Sequence, residues 1–549
     1  FNLSKNNMII NELIKKKKIL IVFFFIYVIG LLIFKDYGLT LDDEHYRING
    51  VYYKNFIKQY LNLLVSFNFT DLKLLGKEIE TGSLKNHPVI FETILAFLAD
   101  ILKLSDTKSI YNLSHLLNFS IYSLSLFFFY KIIKNRYNSE IIGLLAILII
   151  FVTPRFFAES FYNSRDIFFF FLFIFFLYTL QKLLNKSNTK NIILLSFTSA
   201  LLINAKILGI IPFIVFLFMY IFYIFGNQEN AFNNVKKVFT LLITTFIFIV
   251  ILWPYLWFSP IENFIKGYSD IIKAHNNLLV LTYFSGEYLS STNTPWFFRI
   301  FWFFITTPLI VVFIFALGFV MMVKKFISKI LELDEKNSDI WKNKFEFFDF
   351  YTVITLVIVV FLTIKFNESQ FNGWRHLYFL YASIIFIFTY GYKKIQSNRN
   401  KIIKNLLNIF IILSIIYNSL WIFKNHPYQN NYFNIASINY SINKFDLDYW
   451  GLSNYQAIKY ILENDDSKTI NISSVSFADL ETTILKLDLE NKKRINIVHD
   501  FSKADYIIDS YMKRIRGNFS INQEEYAKYY DIKINKSSIN TVYKKNRTN

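Results

Sequence analysis

Cysteine is absent from all 549 residues. That excludes a disulfide framework, a thiolate metal centre and a Cys nucleophile. Acidic charge is also short, with 40 Asp and Glu against 59 Lys and Arg, a surplus of +19. Such a surplus suits nucleic acid in a soluble chain, but here the Lys and Arg gather at the ends of apolar runs, so nucleic acid is discarded as a partner. What is abundant is apolar area: 54% of residues are hydrophobic, with 64 Phe and 36 Tyr. This excess falls in runs of roughly 17 to 25 residues, the length that spans the hydrocarbon of a bilayer. The sequence therefore predicts an all-α polytopic membrane protein, with membrane lipids as its surroundings.

The chain opens on Phe1, so the start of translation is expected at Met8 or upstream. Lys15 to Lys18 precede the first apolar run, 19–34, which has no small-residue cleavage site and reads as an uncleaved first span. Further runs lie near 109–130, 139–157, 165–181, 190–205, 207–225, 238–257, 297–323, 349–365, 375–392 and 403–423, giving about eleven spans in all. With the N-terminus (1–18) in the cytoplasm, every short loop left inside is basic, carrying Lys131, Lys134, Arg136, Lys182, Lys186, Lys236, Lys237, Lys324, Lys325, Lys393 and Lys394 among others. The membrane domain is then 19–423, with 35–108 and 258–296 facing outward, followed by an outward tail, 424–549. Stretches 50–66 and 88–103 mix charge with Phe, Leu and Ile and are read as interfacial helices, not spans. The tail alternates helix-like stretches (454–463, 479–487) with β-rich ones (469–475, 495–498, 506–508) and reads as a small α/β domain. No internal repeat is visible, which weighs against inverted-repeat transporter folds.

Charges that break the positive-inside pattern need a reason, and they are few: Arg155, Arg165, Asp166, Lys206, Lys365 and Arg375. By this topology they share one membrane face with Asp42, Asp43 and Glu44, just after the first span. Ionisable groups at such depths are functional candidates, the plain alternative being charges that snorkel to the interface. Three adjacent acids repel one another, so packing them beside a membrane suits a site that uses one carboxylate as base and another to orient it. The plain alternative is a solvated loop, or one acid serving as a helix cap for the stretch that follows. For Arg165 and Asp166 the plain reading is a charge pair at the end of a span. His45, His87, His275 and His376 also fall on the outer side, where His with Asp could hold a divalent cation, but their spacing matches no metal motif, and no metal or other cofactor is expected to be required.

The pair Asp43-Glu44, followed by His45-Tyr46 after the first span, resembles the first outward loop of the GT-C membrane glycosyltransferases. The nearest families by this resemblance are the protein O-mannosyltransferases and the lipid A aminoarabinose transferases. Further stretches agree in order: His87-Pro88, Pro154 to Asp166 (PRFFAESFYNSRD), Asn204 to Gly209 (NAKILG), Trp253 to Trp257 (WPYLW) and Gly373 to Tyr381 (GWRHLYFLY). The likeness covers roughly residues 15 to 425, and the tail resembles none of the sugar-binding modules of the eukaryotic enzymes. It implies a GT-C fold of about eleven spans, an enzyme facing the outside of a bacterial inner membrane, and transfer of a sugar from a polyprenyl-phosphate carrier to a hydroxyl on a protein or glycolipid.

Displacing a lipid phosphate from an anomeric carbon calls for a base and for cations on the phosphate, with no strong general acid. Glycoside hydrolysis would want two carboxylates about the bond. Asp43 is assigned as base by its match to the family pair, with Glu44 or Asp42 orienting it. Arg375, Lys206 and Arg165 are assigned to the phosphate, and Asp166, Asn163, His87 and His376 to shaping the site. Asp448 to Gly451 (DYWG) is similar in part to the acceptor-reading motif of oligosaccharyltransferases, lacks its leading Trp pair, and is read as coincidence. A lipid-sugar flippase and a membrane scaffold with a partner-binding tail remain the competing readings.

Overall fold

A computed structural model describes residues 19–81, 89–226, 231–276, 279–332, 341, 343–366, 369–442, 444–511 and 521–546. The expected cytoplasmic N-terminus and His87 lie outside the described residues. The first half runs α1 (Ile19–Ile33), α2 (Asp43–Val65), α3 (Phe69–Thr81), α4 (Ile90–Ile101), α5 (Thr107–Tyr137), α6 (Glu140–Phe151), α7 (Pro154–Tyr162), α8 (Ser164–Asn185) and α9 (Thr189–Ala205). There follow α10 (Ile210–Gly226), α11 (Ala231–Leu252), α12 (Pro260–Asn276), α13 (Phe298–Thr306), α14 (Leu309–Leu331), α15 (Lys344–Lys365), α16 (Tyr381–Gln396) and α17 (Lys401–Lys424). The tail holds α18 (Ile438–Ser441), α19 (Ser453–Asn464), α20 (Leu480–Ile484) and α21 (Leu489–Arg494).

Every apolar run of the sequence falls on helix. Among the described residues, seven helices are long and apolar enough to cross a membrane, or eight if the bent pair α6 and α7 is one span. The protein is therefore an integral, multi-pass membrane protein. The expected count is higher because several runs are divided or short. Run 139–157 breaks at Thr153, where Pro154 opens α7 and turns the chain by 71°. Run 297–323 divides into α13 and α14, run 375–392 opens as a 3-10 turn (Arg375–Leu380), and α9 has 17 residues. Side-chain caps start many of the helices: Asp106 accepts the Ser109 N–H (2.8 Å), Asn163 that of Asp166 (3.0 Å) and Asn188 that of Asn191 (2.9 Å). Close packing has its own residue. A Cβ on Gly318 of α14 would stand 2.4 Å from the Ile387 carbonyl of α16, so these two helices meet backbone to backbone only because glycine is there.

The two amphipathic stretches fold as α2 and α4, and neither is among the candidate spans. They pack together, with Lys54 of α2 donating to Asp100 of α4 at 2.8 Å. In the tail, β3 to β7 form one sheet of order β4-β3-β5-β7-β6. β3 (Ile470–Ser474), β4 (Ile495–Ile497) and β5 (Tyr506–Asp509) are parallel, while β6 (Tyr526–Ile534) and β7 (Ser537–Lys545) make an antiparallel hairpin. The expected tail strands match β3, β4 and β5. The sequence reading missed the hairpin β6-β7 and a second one, β1-β2 (Leu281–Phe284, Glu287–Ser290), in the 258–296 loop. Both turn on two residues of positive φ, Asn535-Lys536 (48°, 71°) and Ser285-Gly286 (57°, 96°), which match the twist of the strands without the usual Asn-Gly signature.

Candidate active site

Four segments of the membrane region and one of the tail build the site. The first is the bend between α7 and α8. Asn163 caps α8, and its amide also donates to the carboxylates of Glu159 and of Asp166 (2.8 Å to the latter). Both acids are buried, at 0% and 2% exposure. The second is the turn before the segment Arg375–Leu380, where Asn372 and Gly373 adopt positive φ (53° and 72°) and set Arg375 over the α8 N-terminus. Arg375 Nη1 then lies 3.3 Å from Asp166 Oδ2, while the Lys206 ammonium, between α9 and α10, pairs with Oδ1. Two of the three assigned phosphate holders thus converge on one buried carboxylate.

Arg165 does not take its sequence neighbour Asp166 as its close partner. Its guanidinium lies 4.1 Å over the Tyr46 ring, and its Nε is 3.9 Å from Glu92 of α4. Successive residues at a helix N-terminus point about 100° apart, which sends the two charges in different directions. Among the described residues the Nε atoms of Arg165 and Arg375 are buried without a hydrogen-bond partner. A buried, unpaired donor on a cation is costly and suits an anion. Arg155 serves elsewhere: it donates to the Tyr432 carbonyl (3.1 Å) and lies between Trp302 and Phe433, fastening the start of the tail to α7.

The three acids after the first span fan out at the start of α2. Asp42 accepts from the Tyr46 hydroxyl (3.4 Å) and is in electrostatic reach of Arg165 and Arg375. Asp43 Oδ2 accepts the Thr40 N–H at 2.6 Å. Burial pushes the Asp43 carboxyl up to about 7, against the lowering effect of that hydrogen bond and of Lys486. Glu44 is held by both nitrogens of an Arg47 fork (2.7 and 2.8 Å) and by the Tyr111 hydroxyl. Burial works against its charge, yet these hydrogen bonds outweigh it and hold Glu44 below the usual carboxylate range. Glu44 is thus a fixed anion, whereas Asp43 gains and loses a proton near neutrality.

The tail enters where no site was read. Tyr449 and Tyr378 both donate to Glu159 Oε1 (2.7 and 3.1 Å), and the Trp450 ring lies 4.5 Å from the Arg375 guanidinium. The Asp-Tyr-Trp-Gly segment, read from the sequence as coincidence, therefore forms a wall of the site. Sequence reasoning also passed over Glu159 and Glu92, although the test that selected Asp166, an acid inside an apolar stretch, selects both. Of the two assigned histidines, His376 packs edge-on against Phe371 at 5.2 Å and His87 lies outside the described residues, as does the side chain of His275. His45 contacts Asn49 at 3.0 Å, at the surface. Among the described residues no three His, Asp, Glu or Cys gather as a metal-holding group.

Residues 86–258 match the family described as dolichyl-phosphate-mannose-protein mannosyltransferase. No curated protein matches the sequence. Among solved structures, the apo oligosaccharyltransferase of Archaeoglobus fulgidus is 11% identical over 76% of this chain and 57% of its own, with a TM-score of 0.43. The chain thus spans a little under six-tenths of that enzyme. ArnT of Cupriavidus metallidurans bound to undecaprenyl phosphate is 9% identical over 84% of this chain and 88% of its own (TM-score 0.37). AglB of A. fulgidus, in complex with an inhibitory peptide and a dolichol-phosphate, is 10% identical over 89% and 69% (TM-score 0.44). Over residues 86–258 the chain is similar to the dolichyl-phosphate-mannose-protein mannosyltransferases.

Proposed function

We propose that the protein is a membrane glycosyltransferase that moves a sugar from a polyprenyl-phosphate carrier onto an acceptor hydroxyl at the outer face of the membrane. The observation that carries this reading is the convergence of Arg375 and Lys206 on buried Asp166, beside Arg165, with two guanidinium Nε atoms that have no hydrogen-bond partner among the described residues. Such a cradle is suited to a phosphate that departs as an anion. In the transfer, Asp43 takes the proton of the acceptor hydroxyl, the oxygen bonds to the anomeric carbon, and the bond from that carbon to the phosphate oxygen breaks. Its electron pair leaves on the lipid phosphate, which Arg375, Lys206 and Arg165 hold. A base near neutrality fits Asp43, because a general base works best when its pKa is close to the working pH. Glu44 orients α2 through Arg47 and Tyr111. Asp42 lies toward the phosphate side, and Asp166 and Asn163 shape the cradle. No step calls for a metal.

The donor is a polyprenyl-phosphate sugar and the acceptor a protein or glycolipid hydroxyl, with the site facing the periplasm or cell exterior of a bacterial inner membrane. The deciding experiment is sugar transfer in membranes supplied with polyprenyl-phosphate sugar. Asp43→Asn should lower it by about two to four orders of magnitude, the usual worth of a general base, with Asp42→Asn costing least and Glu44→Gln lying between. If Asp42 is essential and Asp43 dispensable, the base is one residue earlier. If all three are dispensable, the enzyme reading fails and the flippase or scaffold takes its place. Lipid-linked sugars and envelope glycans in a deletion strain identify the sugar and acceptor.

A further inference from the structure

Behind Asp43 lies a lysine that the transfer reaction, as described, does not use. Lys486 follows α20 in the tail and is 1% exposed. Its Nζ lies 2.9 Å from His115 Nδ1, in the first half of α5, and among the described residues no carboxylate stands within 4.0 Å of it. A buried ammonium without a direct counterion is costly. The charges that face it are Asp43 and Asp36, both attractive, and Lys108, repulsive, and the Tyr455 ring of α19 lies 5.9 Å from its Nζ. The charges that face Asp43 are Lys486 and Asp42, with the Tyr111 hydroxyl alongside. Burial therefore drives the two groups in opposite directions, Lys486 down to about 7 and Asp43 up to about 7, and each opposes the shift of the other.

His115 makes the arrangement specific. Its Nδ1 stands 3.1 Å from the Phe34 carbonyl as well as beside Lys486, and its buried Nε2 has no hydrogen-bond partner among the described residues. One nitrogen cannot serve both neighbours in one state. Unprotonated, Nδ1 accepts from the Lys486 ammonium; protonated, it donates to the Phe34 carbonyl.

We propose that Lys486, held by His115, is a positioning residue for Asp43: its buried ammonium keeps the carboxylate charged, so that the C-terminal domain completes the base. This rests on the reading of Asp43 as the base. When Asp43 takes the proton of the acceptor, Lys486 loses its counter-charge, and one proton then passes from the pair to bulk water before the next transfer. The site thereby avoids holding a net buried charge at the end of each transfer.

The test is an infrared titration of the full chain, purified and placed in phospholipid vesicles. The protonated-carboxyl band that disappears in Asp43→Asn is followed against pH. In Lys486→Met, Lys486→Gln and His115→Phe the midpoint of that band should rise, by about one unit or more for the lysine variants, the scale of a nearby opposite charge. Each unit leaves tenfold less ionised Asp43 on the acid side of the midpoint. A midpoint unmoved in whichever of these variants inserts overturns the coupling, whereas a purely structural role for Lys486 lowers the melting temperature and leaves the midpoint in place. Sugar transfer by Asp43→Asn is measured separately. Transfer that survives there overturns Asp43 as the base whatever the midpoint does.

Discussion

Replacing Asp166 by Asn keeps the shape of the side chain and removes its charge. In the native site this 2% exposed carboxylate receives the Lys206 ammonium, the Arg375 guanidinium at 3.3 Å and the Asn163 amide at 2.8 Å. Without it two buried cations face each other with no carboxylate within ion-pair distance among the described residues. Removing one partner of a buried pair costs about 3 to 5 kcal/mol. Arg375→Ala should cost less, because Asp166 keeps Lys206. A polyprenyl phosphate bound in the cradle supplies the missing charge. At a hundredfold excess over its Kd a ligand stabilises by about 2.7 kcal/mol, roughly half to nine-tenths of that loss. The assay is the thermal melt in detergent micelles, with undecaprenyl phosphate against undecaprenol of the same chain length. The variant should melt well below wild type and be rescued by the phosphate alone, and by more than wild type gains, since in wild type Asp166 competes for the same cations. A variant that melts like wild type, or one rescued equally by the alcohol, would refute the phosphate cradle.

Arg375→Ala and Lys206→Ala should impair use of the lipid-phosphate donor more than folding, and Arg375→Lys should recover only part, because the two-nitrogen fork is lost; wild-type transfer in both Ala variants contradicts the assignment. Reporter fusions after residue 430 should show activity on the outer side and none in the cytoplasm, as the basic short loops require. Because burial raises Asp43 to about 7, transfer should fall as the pH drops through that value and the base fills with a proton. By the same shift the folded protein binds this proton more tightly than the unfolded chain does. The stability that Asp43 lends is therefore full in acid and lost as pH rises through about 7, so Asp43→Asn should melt above wild type at alkaline pH and not in acid. Gly451→Ala should displace the Tyr449 and Trp450 wall and reduce transfer, since Gly451 has φ +74° and a Cβ there would sit 2.5 Å from that of Ala478.

How far the chain could be read depended on distance along it. Apolar runs bounded by Asn, Lys and Asp are local, and they located the helices but not the break before Pro154, which the run 139–157 passes over. The assigned cations were found because charges in apolar surroundings are rare, and Asp166, Arg375 and Lys206 do meet. Which acid faces which partner was not legible. Asp42, Asp43 and Glu44 are neighbours in sequence, but at about 100° per residue they turn to three different environments, and those belong to Tyr46 and Arg165, to Thr40 and Lys486, and to Arg47 and Tyr111. Tyr449 lies 290 residues from Glu159 and Lys486 lies 371 from His115, so nothing in local pattern announces either meeting. The hairpins β1-β2 and β6-β7 escaped for a smaller reason, the unusual residues at their turns.

The wall that Tyr449 and Trp450 make against Glu159 and Arg375 bears on how such a protein can change over generations. A tail that merely hung from the last span could be traded between relatives as a separate piece, carrying a new preference with it. Here the trade would strand a buried Glu159 with one of its hydroxyl donors missing and uncover the face of Arg375. An exchange that works must therefore carry residues 154–166 and 373–381 along with the tail. In any line of descent, substitutions in these three stretches should appear together.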